Sequence, residues 1–211
     1  MSEVLRDLIV SLSLDSNNFS RNLTSINRQV ADAESEFKRA AAGVNGFEKS
    51  VAGTQAQLSS LQQKLVAQRN AVVQYERALE AVNTKLSTSV RKNGELKVSL
   101  DGARTRYADL KTRIDQTKAA FQASVKATGD NSEESNRLGL ELLDLEEQYK
   151  ATGAEVKKLD GQLAASTKSL QNNADAVTKA RTGLNQAHAA LKQTESQIRS
   201  ANSRLVTLES A

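Results

Sequence analysis

Proline is absent from this sequence, and so are cysteine and tryptophan. Each interior proline would cost a helix about 3 kcal/mol, so a 211-residue chain that never uses it is suited to long uninterrupted helix. Without cysteine there are no disulfides and no thiolate metal sites. Phe and Tyr together number only seven, too few for the aromatic-rich core that a compact domain of this length would build. No apolar run reaches the ~18 residues needed to span a bilayer. The opening MSEVLRDLIVSLSLDS places acids among its apolar residues and lacks the order of a secretion signal, so the expected compartment of synthesis is the cytosol.

Charge of one sign is also in short supply. The net charge is +4, from 29 basic and 25 acidic residues, which is weak attraction for nucleic acid. None of the phosphate-loop, dinucleotide, zinc-helix or nucleophile-elbow patterns occurs. His188 is the one histidine and has no partner ligands at helical spacing. The acids Glu133, Glu134, Glu141, Glu146 and Glu147 lack the Gly-centred spacing of a calcium loop and read as a solvated helix face. No catalytic, cofactor-binding or metal-binding residue is expected, and no enzymatic activity.

What is present is a register. A walk of alternating four and three residues from Phe19 runs through Leu23, Ile26, Val30 and onward to Leu205 and Leu208 without a change of phase. Of its 55 positions 42 are apolar, where a 38% hydrophobic fraction predicts about 21. A sustained 3.5-residue period specifies a left-handed coiled coil. With Leu23 as an a position, 24 of 27 a sites carry a large apolar residue, but only 18 of 28 d sites are apolar. Thr54, Gln68, Ser89, Thr117, Thr152, Ser166, Asn173 and Thr194 are among the polar d residues, so the seam fixes register yet binds loosely. Tyr75, Tyr107 and Tyr149 fall on the seam and read as core, not as platforms for bases.

Residues 1–15 alternate apolar and polar as a short strand-like segment, and Asp15, Ser16 or Asn17 are placed to cap a helix. The expected organisation is all-α: a first helix over 16–42, a glycine-bearing joint at 43–53, and long coiled-coil helices over 54–127 and 132–209. The loop Gly129-Asp130-Asn131-Ser132-Glu133-Glu134-Ser135 offers a Gly stop followed by capping residues with Glu three places on. Residues 85–121 hold nine bases against four acids (net +5), whereas 130–160 hold nine acids against four bases (net −5). Those blocks favour a hairpin folded at about 124–135, with Asn93 level with Ser166, over a parallel homo-oligomer. A continuous rod is the other arrangement open to the same register.

Three stretches carry a family resemblance. They are Asp7 to Phe19, a short strand pattern with a polar cap and Phe; Ser35-Glu36-Phe37-Lys38-Arg39-Ala40 followed by Gly46-Phe47; and the Leu58–Leu86 heptads together with the 129–135 loop and its leucine repeats. With these the chain resembles the N-terminal region of the tail tape measure proteins of long-tailed bacteriophages. The resemblance implies a helical ruler in the tail lumen, around which tube subunits polymerise and which leaves before DNA passes. It implies tail tube, tail tip and tail assembly chaperone proteins as partners, besides the chain itself, and residence in the host cytoplasm during assembly. It implies no specific nucleic acid, no cofactor and no membrane segment in this chain. The sequence departs from the family in being short and in lacking the membrane-spanning and cell-wall-degrading regions often found further along; the expectation is a fragment of a longer protein or an unusually short measure, and Ala211, ending the chain in mid-register, favours the fragment. The competing reading is a generic cellular coiled-coil spacer or adaptor, and tail tube and tail tip genes beside this one would separate the two.

Overall fold

The computed structural model describes residues 16–211, so the strand-like segment expected over 1–15 lies outside the described residues. Of the described residues 94% are helical, and there is no strand among them. The class is all-α.

Helix α1 is Ser16–Ala41. It has no Gly or Pro, and Phe19, Leu23, Ile26 and Ala33 recur at three- and four-residue spacing to form one buried stripe. Lys38 and Arg39 in its last turn complement the negative end of the helix dipole. A single 3-10 turn, Phe47–Lys49, then leads into α2, Val51–Thr128. This start is three residues earlier than the expected 54, because Ser50 supplies the cap. The Gly53 amide donates to Ser50 Oγ at 3.0 Å, and Ser50 Oγ donates to the Phe47 carbonyl at 2.7 Å. Gly53 therefore belongs to the first turn of the helix and not to the joint. A Cβ there would lie 1.7 Å from the Phe47 oxygen, so only glycine lets the turn close onto the helix.

Helix α2 stops at Gly129, whose φ of 87° is the left-handed conformation that ends helices. Helix α3 is Glu133–Glu209. Its cap is Ser132, which accepts from the Ser135 amide at 3.1 Å, so the third helical position is a serine and not the glutamate expected of a capping box. Glu133 and Glu134 still occupy the first turn, where the dipole favours negative charge.

The described residues form two compact units, one comprising residues 16–86 together with Asn173–Ala211, the other Ser87–Asn172. In the first, α1, the start of α2 and the end of α3 share one core of Phe19, Leu23, Ile26, Ala67, Tyr75, Ala78, Val82 and Ala180. Small residues on α2 make this possible: Ala67 and Ala78 are buried beneath α1, and Ser60 Oγ donates to the Ala33 carbonyl at 2.7 Å. In the second unit, contacts between α2 and α3 run in opposite senses. Ser124 meets Ser135, Phe121 lies over Gly139, Tyr107 over Gly153, and Asn93 reaches Ser166.

Candidate functional site

The chemistry-bearing residues of this chain lie along its helix seams, and each unit uses its seam differently. In the first unit Tyr75 is 2% exposed and packs edge-on against Phe19, ring centroids 5.4 Å apart at 76°. Burial pushes the Tyr75 phenol above its ordinary pKa. Neither its hydroxyl nor Gln68 Oε1 has a hydrogen-bond partner, although both are buried. Such orphaned groups each cost about 1–3 kcal/mol.

The second unit is polar at its turn. Ser135 is fully buried and gathers hydroxyls: Ser124 Oγ at 2.9 Å and Ser132 Oγ at 2.8 Å, while it donates to the Gly129 carbonyl at 2.9 Å. Thr128 Oγ1 adds a contact to Ser132 Oγ at 2.9 Å. The polar stretch of the register, Ser124 to Ser135, is thus a satisfied hydroxyl cluster that closes the turn. Further from the turn, Tyr107 and Tyr149 stack with centroids 4.1 Å apart and planes 14° from parallel. The neighbouring Tyr107 hydroxyl holds the Tyr149 phenol above its usual range by hydrogen bonding.

Ion pairs cross between helices in both units. Lys64 meets Glu34 at 2.5 Å and Arg69 meets Glu195 at 3.7 Å in the first; Arg104 meets Asp160 and Arg106 meets Glu155, both at 2.9 Å, in the second. Arg204 also donates to Gln57. Apart from the half-buried Lys64 these side chains are exposed, so each exposed pair contributes at most about 1 kcal/mol and acts more on pairing choice than on stability.

The remaining candidates are dispersed. His188 is exposed on α3. Of the acidic set, Glu134 and Glu141 both pair with Arg137, at 2.7 and 3.5 Å, and that hydrogen bond holds the Glu134 carboxyl below its usual pKa. Among the described residues no group of three or more His, Cys, Asp or Glu is placed to hold a metal ion, and no helix is long and apolar enough to cross a membrane. What sequence reasoning missed is the docking of α1. Its signal is the run of small residues Ser60, Ala67, Ala71 and Ala78 beside the main seam, spaced for a second helix contact. Comparison with known protein families, characterised proteins and solved structures returns no match.

Proposed function

We propose that this chain is a mechanical element, a helical ruler and scaffold for tail tube assembly of the kind found in long-tailed bacteriophages, ejected before DNA passage. The observation that carries this reading is the pair of helices of 78 and 77 residues, built on one heptad register without a proline. A helix rises about 1.5 Å per residue, so such a segment converts residue count into length. In this reading the helices pair as a heptad coiled coil. The isolated chain folds back at about 124–135, and the virion form extends as a rod in the tail lumen, contacting tail tube, tail tip and assembly chaperone proteins.

The decisive experiment is an in-frame deletion of 70 residues in the parent phage, which should shorten tails by roughly 105 Å. Tails of unchanged length would sink the ruler. For the fold-back, spin labels at Ser99 and Gly161 should lie within a few nanometres; a separation near 90 Å, from the helical rise, would mean a rod in isolation as well. A second reading, a cellular coiled-coil spacer or adaptor, is favoured by the packing of α1 into a three-helix core, since a folded end is what an adaptor would present.

A further inference from the structure

Leu140 and Leu143 stand at f and b positions of α3, on the side of the helix away from the seam, and are 69% and 65% exposed. Among the described residues they are the only exposed leucines; the other large apolar residues left in solvent are all valines. Three residues apart on a helix, the two side chains are neighbours and form one apolar spot. The seam of this stretch is already filled by Leu138, Leu142 and Leu145, so the extra pair packs nothing within its own unit.

The residues around the spot have an order. Along the f and b stripe run Glu133, Asn136, Leu140, Leu143, Glu147 and Lys150, with Arg137 and Asp144 beside it at c, and all eight are exposed. Reversed about the point between Glu141 and Leu142, the stripe is its own complement. Glu133 then falls on Lys150, Asn136 on Glu147 and Leu140 on Leu143. In such a reversed pairing c positions meet c positions, and Arg137 lies level with Asp144. On the other flank, at e, Glu146 meets Gly139. No facing pair carries like charge.

We propose that this face is an interface for a second copy of the chain, packed antiparallel through α3 across a two-fold axis between Glu141 and Leu142. Every contact occurs twice, as an isologous interface requires. Charge selects the occupant. A partner of one sign would be repelled either by Glu133, Asp144 and Glu147 or by Arg137 and Lys150. A parallel second copy would set Glu133 on Glu133, Glu147 on Glu147 and Asp144 beside Glu146. Glu133, Glu147 and Lys150 make no ion pair with another described residue, so a second copy supplies their partners. Arg137 already meets Glu134 and Glu141, but its five donors leave room for a further carboxylate. Asp144 accepts from Gln148 at 2.8 Å and keeps a second oxygen for Arg137 of the other copy. The charged groups ring the four leucines with their heads in water, so the contact buries no charge. Because α3 begins at Glu133, the overlap is confined to 133–150, and a contact this small makes a weak, reversible dimer. The pairing goes beyond the ruler reading and would hold equally in a spacer.

The test uses the full chain in sedimentation equilibrium at sub-millimolar concentration, where a monomer–dimer equilibrium is expected. Leu140→Gln with Leu143→Gln should abolish the dimer. Both side chains are exposed in the single copy, so helicity and the thermal midpoint in dilute solution should not change. Glu133→Lys and Lys150→Glu each bring like charges together twice, and each should weaken dimerisation about tenfold. An equimolar mixture of the two, or both changes in one chain, should restore it. Orientation is read from a spin label at Gly161, which has open space around it. Antiparallel copies place the two labels about 60 Å apart by the helical rise, and parallel copies within about 20 Å. A monomeric wild type, a dimer that survives the glutamines, charge reversals without effect or without rescue, or the short label distance would each overturn the proposal.

Discussion

Residues 16–86 with 173–211, and residues 87–172, share one heptad register yet bury it to different degrees. The first unit has a third helix. Leu23 and Ala33 of α1 reach 1% exposure, and Tyr75 and Val82 of α2 reach 2%. The second unit has two helical segments, and its a residues from Tyr107 to Phe121 and from Leu142 to Val156 keep partial contact with solvent. The polar residues follow the same division. The second unit satisfies its buried Ser135 with several hydroxyls and a carbonyl, whereas the first leaves Gln68 and Tyr75 without partners. A period of 3.5 thus specifies which residues face a neighbour, and the number of neighbours decides what that facing is worth.

The sharpest way to break the comparison is to remove one leucine from each unit. Leu23→Ala empties a site that is 1% exposed and should cost about 3 kcal/mol, within the range for fully buried leucines. Leu142→Ala removes a partly buried a residue and should cost about 1 kcal/mol, because less apolar area returns to water. Hydrogen exchange resolved by segment should show protection lost over 16–41 in the first variant, with little change over 133–150. Equal losses in the two variants would mean that the third helix adds nothing to the core.

Glycines give a contrast within the second unit. A Cβ at 153 would sit 3.0 Å from Tyr107 Cε2, so Gly153→Ala must displace the ring and should cost about 1 kcal/mol through overpacking. Around Gly161 nothing lies within 4 Å, so Gly161→Ala should stabilise the helix by about 0.5–1 kcal/mol. Thermal melts give both signs, and near-ultraviolet circular dichroism should lose the tyrosine signal only in Gly153→Ala.

The all-α class was legible because absent proline and an unbroken register leave few other options. The stops at Gly43 and Gly129 were legible too, since a left-handed φ favours glycine. The second contact face of α2 was not. Ala67 and Ala78 look like any helical alanine until α1 lies on them, and burial to 1% and 6% is a tertiary fact. The polar d residues also read too uniformly. Thr54 is fully buried and donates to the Ser50 carbonyl at 2.9 Å, and Thr194 is 1% exposed, so leucine at either site would meet packed neighbours instead of an open seam. Gln68 is the d residue whose polarity is unanswered. For a functional site the sequence offered no constellation: His188 has no ligand partners at helical spacing, and the acidic face lacks the Gly-centred spacing of a calcium loop.

Orphaned groups sharpen the contrast more gently. Tyr75→Phe keeps the edge-on ring contact and deletes the unpartnered hydroxyl, so it should stabilise the first unit by about 1 kcal/mol. The pH dependence has a definite sign. Burial raises the Tyr75 pKa above its unfolded value, so its contribution is whole below about pH 10 and is lost as pH rises through the folded pKa. Denaturation midpoints measured across that range should fall less steeply for Tyr75→Phe than for the parent chain. Identical slopes would mean that the phenol is wet in solution.

The smallest effect is expected where a polar residue is already answered. Asn93 occupies an a position in the second unit, and its Nδ2 donates to Thr167 Oγ1 at 3.0 Å and, more weakly, to Ser166 Oγ at 3.4 Å. Leucine there would add apolar contact but leave two hydroxyls without that donor. Because Asn93 is only partly buried, water replaces the lost bonds at little cost, and the two terms nearly cancel. Asn93→Leu should therefore change stability by about 0.5 kcal/mol or less in chemical denaturation. Its larger consequence is for register. A lone polar residue at an a position penalises slipped pairings that would set it against leucine, so removing it lowers the cost of sliding by a heptad. Disulfide trapping measures this directly: cysteines replacing Ala103 and Val156, seam positions level with each other by the match that sets Ser124 on Ser135 and Asn93 on Ser166, should cross-link in one register in the parent chain, and cysteine pairs offset by seven residues should begin to cross-link only in Asn93→Leu. If offset pairs stay silent in the variant, register is held by the hydroxyl cluster at the turn and the ion pairs of Arg104 and Arg106, and Asn93 is a tolerated polar residue with no part in pairing.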